Sequence, residues 1–270
     1  MRLGISSFAY GWAVGIPGYP PPRPLRAVEL VERAAALGLD LVQFGDNLPL
    51  HALPAGELDA LEARAHALAV GVEVGMRGTG RDILLAYLEL ARRFRCPFMR
   101  VMVGAPDHNP TPEEVVGAMR AVLPEFERSG VCLALENFET FKAAELADML
   151  GRIGGEMVGV CLDTVNSVGA LEGPEVVVKA LAPLTVNLHV KDYAIRRMDH
   201  RLGFVVEGRP AGQGQLDIPW LLESVRDNGH DPSVILEQWT PPGRTVADTI
   251  AVEERWAAES VRYMRALLPG

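Results

Sequence analysis

Short apolar runs alternate with longer amphipathic segments along almost the whole chain. We expect the apolar runs to form strands at 3–7, 41–46, 72–76, 98–104, 131–137, 158–164, 185–192 and 234–238. In the segments between them apolar residues recur at helical spacing, as Leu30, Val31, Ala34 and Leu37 do. These segments predict helices at 24–37, 56–69, 81–94, 111–128, 143–153, 174–181, 218–228 and 246–267.

This alternation predicts an α/β fold with parallel strands, because a helix between two strands returns the chain to the same end of the sheet. Eight such units are typical of a closed barrel. The runs read as continuously apolar, as strands covered on both faces must be. Neither a G-x-G-x-x-G pattern nor a P-loop follows the first strand. We therefore expect a single (β/α)8 TIM barrel that spans residues 1–270 as one domain.

Two segments interrupt the alternation. The first, FAYGWAVGIPGYPPPRP at 8–24, is rich in glycine, proline and aromatic residues and predicts a surface loop. The second, Tyr193 to Gln215, is the longest predicted loop of the second half. Because both segments follow strands, we expect both at the mouth of the barrel, where substrate selectivity is usually set.

Composition and charge exclude several classes of protein. The net charge of -9 argues against non-specific binding to nucleic acid, which requires clustered Lys and Arg. The N-terminus lacks the pattern of a signal peptide, and no apolar run reaches the length of a membrane span. The three cysteines lie in or beside apolar runs, as buried thiols of a reducing compartment do. We expect a cytoplasmic soluble protein without a membrane or nucleic-acid partner.

Four polar side chains close the last four predicted barrel strands. Glu136, Asp163, His189 and Glu237 end the runs LALEN, GVCLDT, TVNLHVKD and VILEQ. Strand ends of a barrel meet at one mouth, so these side chains should converge. Three buried carboxylates repel one another unless a positive charge compensates them. An oxygen-rich set with one nitrogen suits a divalent cation, with Mn²⁺ preferred and Co²⁺, Mg²⁺ or Zn²⁺ as alternatives.

The motifs LALEN, CLDTVNSVGA, NLHVKD and VILEQ, with PAGQGQLDIPWLL, resemble those of the xylose isomerase-like barrels, a superfamily of sugar phosphate isomerases and epimerases. The resemblance covers about 130–240. The earlier part of the chain agrees mainly in the alternation of predicted strands and helices. It implies that Glu136, Asp163, His189 and Glu237 bind the metal, and that Glu136 and Glu237 act as an acid/base pair. The implied reaction isomerises or epimerises a small ketose or keto-polyol through an enediolate. Relatives of this kind frequently form homo-dimers or homo-tetramers.

One departure from the family pattern leaves the reaction open. Many members place a histidine three residues after the strand-six aspartate, and here that residue is Asn166, which cannot exchange a proton near neutral pH. A metal-dependent lyase or dehydratase is the alternative, acting on a keto-inositol, a dehydroshikimate-like acid or a 3-keto-glycoside. A repair endonuclease is a weaker hypothesis, since the chain is acidic and only one of its six histidines closes a predicted strand. A barrel that binds sugar without catalysis is the last alternative.

Five residues are candidates for contacts with a sugar-like substrate. Lys191 falls on the same side of its strand as His189, although a salt bridge with Asp192 is an equal alternative. The other candidates are polar or aromatic residues at or after strand ends: Asn166, Arg197, Trp239 and His51.

Overall fold

Eight parallel strands close into a barrel in the computed structural model, which describes residues 1–105 and 108–268. The (β/α)8 barrel predicted from the sequence is confirmed. The strands are β1 (Leu3–Ser6), β2 (Leu41–Phe44), β3 (Gly71–Arg77), β4 (Phe98–Met102), β5 (Cys132–Glu136), β6 (Val158–Asp163), β7 (Thr185–Val190), β8 (Asp192–Arg197), β9 (Phe204–Arg209) and β10 (Ser233–Leu236). The order around the barrel is β1-β10-β7-β6-β5-β4-β3-β2, so barrel strands that follow one another along the chain are neighbours in space.

Helices surround the barrel at the predicted positions, and their ends differ from the prediction by at most a few residues. Helix α5 (Pro112–Ser129) begins where the sequence predicts, because Thr111 caps its first turn and Pro112 occupies its first position. In the described ranges the α-helices are α1 (Gly11–Val14), α2 (Ala27–Ala36), α3 (Ala55–Ala67), α4 (Arg81–Phe94), α5 (Pro112–Ser129), α6 (Ala143–Ile153), α7 (Pro174–Leu181), α8 (Ile218–Asp227) and α9 (Val246–Leu267). No helix of the described chain has the length and apolarity needed to cross a bilayer.

The first predicted surface loop is partly helical, which corrects the prediction for 8–24. A 3₁₀ turn at Ser7–Tyr10 leads directly into α1. The buried carboxylate of Glu253 on α9 accepts hydrogen bonds from the backbone N–H groups of Trp12 and Ala13, at 2.8 and 3.0 Å. This acceptor satisfies the free N–H groups of the short helix. It lies more than two hundred residues away in the sequence, so no local pattern indicates it.

The barrel interior is not continuously apolar, which corrects a second expectation. Gln43, Glu73, Arg100 and Asn187 are all buried within barrel strands. Gly75 leaves room for the Arg100 side chain, because a Cβ at that position would lie 2.7 Å from Arg100 Cδ. A polar column therefore fills part of the space that the sequence analysis assigned to apolar side chains.

The segment after β7 is a hairpin rather than a loop. Strands β8 and β9 pair in an antiparallel sheet outside the barrel. Asp192 anchors the hairpin and does not pair with Lys191. Its carboxylate accepts four backbone hydrogen bonds at 2.8 to 3.1 Å, from the N–H groups of Tyr193, Gly212, Gly214 and Leu216. The side chain thereby ties the start of the hairpin to the segment that leads into α8.

Replacing Asp192 with alanine should lower the free energy of unfolding by about 3 kcal/mol, because hydrogen bonds to a charged acceptor contribute more than neutral ones. Urea denaturation followed by circular dichroism measures the change. Asp199→Ala at the exposed tip of the hairpin is the matched control and should leave stability within about 0.5 kcal/mol. Equal stability of the two variants would show that Asp192 does not anchor the hairpin.

Candidate metal centre

The structure brings the four strand-end residues to one point at the C-terminal mouth of the barrel. His189 Nδ1 lies 3.6 Å from Glu136 Oε1, 3.7 Å from Asp163 Oδ2 and 3.4 Å from Glu237 Oε1. All four side chains are buried. The neighbouring barrel strands β5, β6, β7 and β10 deliver them, which is why residues a hundred positions apart in sequence meet here.

Three of the converging atoms have no hydrogen-bond partner among the described residues: Asp163 Oδ2, His189 Nδ1 and Glu237 Oε1. They lie within 4.8 Å of one another. A buried polar atom without a partner costs free energy, so such a cluster indicates a missing ligand. Ligands of an octahedral cation at about 2.1 Å lie about 3 Å apart. The donor set of carboxylate oxygens and one imidazole nitrogen therefore fits a divalent cation.

Two basic side chains already supply positive charge to the site. Lys191 Nζ lies 2.7 Å from Asp163 Oδ2 and 2.8 Å from Glu237 Oε2. The contact with Asp163 is an ion pair, and its geometry does not make Oδ2 a hydrogen-bond acceptor. Arg100 forms a buried ion pair with Glu136 and also bonds Asp46 Oδ1 at 2.8 Å. The sequence analysis assumed that a metal ion alone compensates the charge of the three carboxylates. In the structure Lys191 and Arg100 also contribute positive charge.

Hydrogen bonds hold the carboxylates of Glu136 and Asp163 in place. Asn166 Nδ2 donates to Glu136 Oε1 at 2.9 Å, so both oxygens of Glu136 are engaged, one by Asn166 and the other by Arg100. The backbone N–H groups of Val165 and Asn166 donate to Asp163 Oδ1 at 2.9 and 2.8 Å. Burial alone would raise the pKa of Glu136, but the Arg100 guanidinium lowers it below its ordinary value. The site therefore holds Glu136 as a carboxylate.

Metal affinity should rise with pH through the neutral range. Burial alone would lower the pKa of His189, but the Cys161, Glu237 and Glu136 side chains around it raise it well above its ordinary value. The ring of the metal-free protein is then protonated at Nδ1, and a bound cation must displace that proton. We expect the Mn²⁺ association constant to rise by up to about tenfold per pH unit. Calorimetric titration over this range in two buffers measures it, and a constant independent of pH would contradict the proton displacement.

Of the five candidate substrate residues, Lys191, Asn166 and Trp239 lie at the site. Lys191 Nζ is 5.6 Å from the ring centroid of Trp239, whose side chain is 43% exposed. Trp239 also lines a cavity of about 360 Å³ together with Phe8 and Trp12. Among the described residues, the lining of this cavity includes none of the four strand-end residues. The cavity approaches them through Trp239, which lies beside Lys191, and through Phe8, whose ring centroid is 5.7 Å from the Arg100 guanidinium. An aromatic wall beside buried charges is typical of a pocket for a small polar ligand.

The remaining two candidates lie elsewhere. His51 is exposed, and its Nδ1 lies 3.1 Å from the hydroxyl of Tyr87. Arg197 is exposed on the hairpin, with its guanidinium 4.5 Å from the ring centroid of Phe204. Among the described residues, neither side chain contacts the four strand-end residues.

Sequence reasoning missed Arg100, although the sequence carries a signal for it. The residue stands in the middle of the apolar run FMRVMV, two positions from Phe98 and Met102 on the same side of the strand. A charge inside such a run must either face solvent or meet a buried partner. Its partners, Asp46 and Glu136, close two other strands, so barrel closure is needed to recognise them.

Comparisons with known proteins agree with this architecture. A profile described as xylose isomerase-like TIM barrel matches residues 19–267. The 3-oxo-isoapionate decarboxylase of Pectobacterium atrosepticum is 34% identical over 264 residues, which cover 98% of this chain and 95% of that protein. The D-psicose 3-epimerase of Clostridium cellulolyticum H10, solved with D-tagatose, has the same fold, with a TM-score of 0.75, 19% identity and 99% coverage of both chains.

A xylose isomerase-like TIM barrel protein from Mycobacterium smegmatis, solved in complex with magnesium, superposes with a TM-score of 0.71 at 12% identity, covering 97% of this chain and 96% of that one. At such identities the solved structures show the fold alone. The profile match spans most of the barrel, and the decarboxylase aligns over nearly its full length. The chain therefore belongs to the xylose isomerase-like TIM barrel family.

Proposed function

We propose that this chain is a divalent-metal-dependent lyase that decarboxylates a small 3-oxo sugar acid. The observation that carries the proposal is the position of Lys191, a buried ammonium beside the candidate metal centre and 5.6 Å from the ring centroid of Trp239. The relative that shares 34% of its residues bears the name of a decarboxylase for such an acid. Decarboxylation was not among the reactions that the sequence led us to expect.

The donor set supports a cation at the four strand-end residues. Glu136, Asp163, His189 and Glu237 would hold it, and Mn²⁺ suits three carboxylates with one imidazole best. A cation bound there supplies Lewis acidity, which polarises the keto oxygen of the substrate.

The protein's own residues then have separate roles. The bond between the carboxylate carbon and its neighbour breaks, carbon dioxide leaves, and the electron pair passes into an enolate. Burial alone would lower the pKa of Lys191, but the carboxylates of Asp163 and Glu237 raise it well above its ordinary value, so the amine stays protonated. Lys191 gives one proton to the enolate carbon, which is a strong enough base to take it, and solvent restores that proton to the amine. Trp239 and Phe8 would cover the substrate and limit access of water. Atoms and charge balance, since one carboxylate and one proton become carbon dioxide and a ketone.

The contacts of Glu136 favour decarboxylation over a reaction with two proton carriers. Both of its oxygens are engaged, one by Arg100 and one by Asn166. A carboxylate held in this way is a poor carrier of protons at neutral pH, whereas a decarboxylation requires only one carrier. Asn166, in place of the histidine found in many relatives, points in the same direction.

A metal-dependent isomerase or epimerase of a small ketose or keto-polyol is the second candidate. It would use Glu136 and Glu237 as acid and base. Two observations favour it: both carboxylates lie close to His189 Nδ1, at 3.6 and 3.4 Å, and the fold is shared with a D-psicose 3-epimerase. Elimination of water from a keto-inositol by the same set of residues is a third outcome of the test. For either candidate we propose a small sugar-like substrate and a dimer or tetramer in the cytoplasm.

Product analysis in deuterium oxide separates these reactions. The Mn²⁺-loaded protein is incubated with 3-oxo-isoapionate and, separately, with a panel of ketoses, and products are followed by NMR and by carbon dioxide release. We expect carbon dioxide and a ketone that carries one deuteron on the carbon that lost the carboxylate. An isomeric sugar without carbon dioxide would instead establish the second candidate, and a new double bond would establish dehydration.

A further inference from the structure

A column of buried polar side chains runs down the barrel axis from His189 toward the opposite end. His189 Nε2 lies 2.6 Å from Gln43 Oε1. Gln43 Nε2 lies 3.0 Å from Glu73 Oε2 and 3.0 Å from Asn187 Oδ1. Gln43, Glu73 and Asn187 are at most 5% exposed. Glu73 itself borders a second cavity, of about 280 Å³, that lies at the N-terminal ends of the strands, away from the candidate metal centre.

Hydrogen-bond chemistry fixes the orientation of Gln43. Asn187 Nδ2 bonds the hydroxyl and the carbonyl oxygen of Ser233, at 2.8 and 3.4 Å. A carbonyl only accepts, so the amide group of Asn187 must face Ser233 and its oxygen must face Gln43. Gln43 then presents its own N–H group to Asn187 and Glu73, and its oxygen to His189. This orientation holds whether or not Glu73 carries a proton.

The orientation of Gln43 determines which ring nitrogen of His189 carries a hydrogen. An amide oxygen accepts only, so Nε2 of His189 must be the donor. The lone pair of the ring available to a cation is then on Nδ1, the atom that faces the three carboxylates. An amide side chain fixes the direction of the hydrogen bonds on either side of it, but it does not gain or lose a proton near neutral pH. The column therefore sets the tautomer and the direction of the His189 ring and does not conduct protons to it.

We infer that Gln43 and Glu73 are positioning residues that hold His189 with Nε2–H bonded and Nδ1 aimed at the cation. The inference rests on the proposed function in one respect, which is that a cation occupies the site. Ring nitrogens of metal-bound histidines are generally fixed by such partners, and loss of one costs about 10- to 100-fold in metal affinity. In this chain the partner of His189 Nε2 is the side-chain amide of Gln43. The carboxylate of Glu73 bonds that amide and not the histidine ring.

The test compares two variants of this column with a matched control. Gln43→Met keeps the size of the side chain and removes all three of its hydrogen bonds. The double variant Gln43→Glu with Glu73→Gln moves the carboxylate next to His189 and restores a donor behind it. The Asn187 amide turns over in this variant, so that its N–H group meets the new carboxylate and its oxygen accepts from the Ser233 hydroxyl. Thr185→Val is the control. Thr185 lies on β7, as His189 does, and the substitution removes its buried hydrogen bond to the carbonyl oxygen of Leu181 without touching the column.

Mn²⁺ affinity and the ring nitrogens of His189 are measured in each protein. We expect Gln43→Met to lose about 10- to 100-fold in affinity, while the double variant and the control stay within about threefold of the wild type. In ¹⁵N NMR of the Mg²⁺-loaded wild type, Nε2 should carry a hydrogen and Nδ1 should not. Unchanged affinity in Gln43→Met, or a double variant as weak as Gln43→Met, would overturn the inference.

The NMR measurement on the wild type covers the case in which Gln43→Met does not fold. A hydrogen on Nδ1 and none on Nε2 of the loaded protein would overturn the inference without any variant. None of these readouts involves decarboxylation, so a protein that binds metal through an oriented His189 and yet releases no carbon dioxide would contradict only the proposed reaction. If the wild type binds no cation, the bonded Nε2–H is sought in the metal-free protein, and its absence there overturns the inference.

Discussion

Replacing Asp163 with asparagine should lower the affinity of the protein for Mn²⁺ by about 100-fold or more, beyond the range seen when only a supporting residue is lost. Asp163 Oδ2 is one of the three buried atoms without a hydrogen-bond partner among the described residues. The substitution keeps the shape of the side chain and removes the charge that attracts the cation. It also leaves Lys191 with one carboxylate partner in place of two, which adds repulsion toward a bound ion.

Competition titration with a metal-sensitive dye measures this affinity. Asp59→Asn is the matched control, because Asp59 is an exposed aspartate on α3 whose one ion-pair partner among the described residues is Arg93. The control should bind Mn²⁺ as the wild type does. An Asp163→Asn variant that binds within about threefold of the wild type would mean that the three atoms without partners are not metal ligands.

Replacing Lys191 with methionine should reduce the turnover of a 3-oxo sugar acid by about 10²- to 10⁴-fold, the usual contribution of a positioned proton donor. The same change should leave Mn²⁺ affinity unchanged or higher, because it removes a positive charge 2.7 Å from Asp163 and 2.8 Å from Glu237. Opposite effects on turnover and on metal affinity distinguish a catalytic role from a structural one.

Steady-state assay of carbon dioxide release and metal titration give the two numbers on one protein sample. Lys179→Met, on the exposed side of α7, is the control and should change neither quantity. If Lys191→Met lost turnover and metal affinity together, Lys191 would be needed to assemble the site. Full activity in this variant would remove the principal support for the lyase over the isomerase.

The sequence was sufficient to predict the barrel because each strand and each helix carries its own periodicity. Helices such as α4 and α6 begin and end where the pattern places them. The convergence of Glu136, Asp163 and His189 followed from one topological fact, that parallel strands bring their C-terminal ends to one mouth. This prediction required only the order of the strands and no knowledge of individual side-chain contacts.

Contacts between distant side chains could not be read from the sequence in the same way. Arg100 meets Glu136 and Asp46 only after the barrel closes, and Gln43 meets His189 across its interior. The hairpin after β7 was missed for another reason. Its strands are largely exposed, with Arg196, Arg197 and Phe204 facing solvent, so the burial pattern that indicates a strand is absent.

Whether a cation joins Lys191 beside the three carboxylates decides the chemistry of this site. In the structure the ammonium of Lys191 bridges Asp163 and Glu237, while His189 Nδ1 faces the space between the carboxylates. Both positive groups would fit, because Lys191 keeps its present pairs while His189 Nδ1 and Glu237 Oε1 have no hydrogen-bond partner among the described residues.

Anomalous diffraction at the manganese absorption edge, from crystals grown with MnCl₂, tests this account most directly. We expect one peak per chain, within bonding distance of Glu136, Asp163, His189 Nδ1 and Glu237, with Lys191 beside it. A site without a peak at millimolar Mn²⁺, in which Lys191 still joins the carboxylates, would contradict the account and indicate that this barrel works with its own basic residues alone.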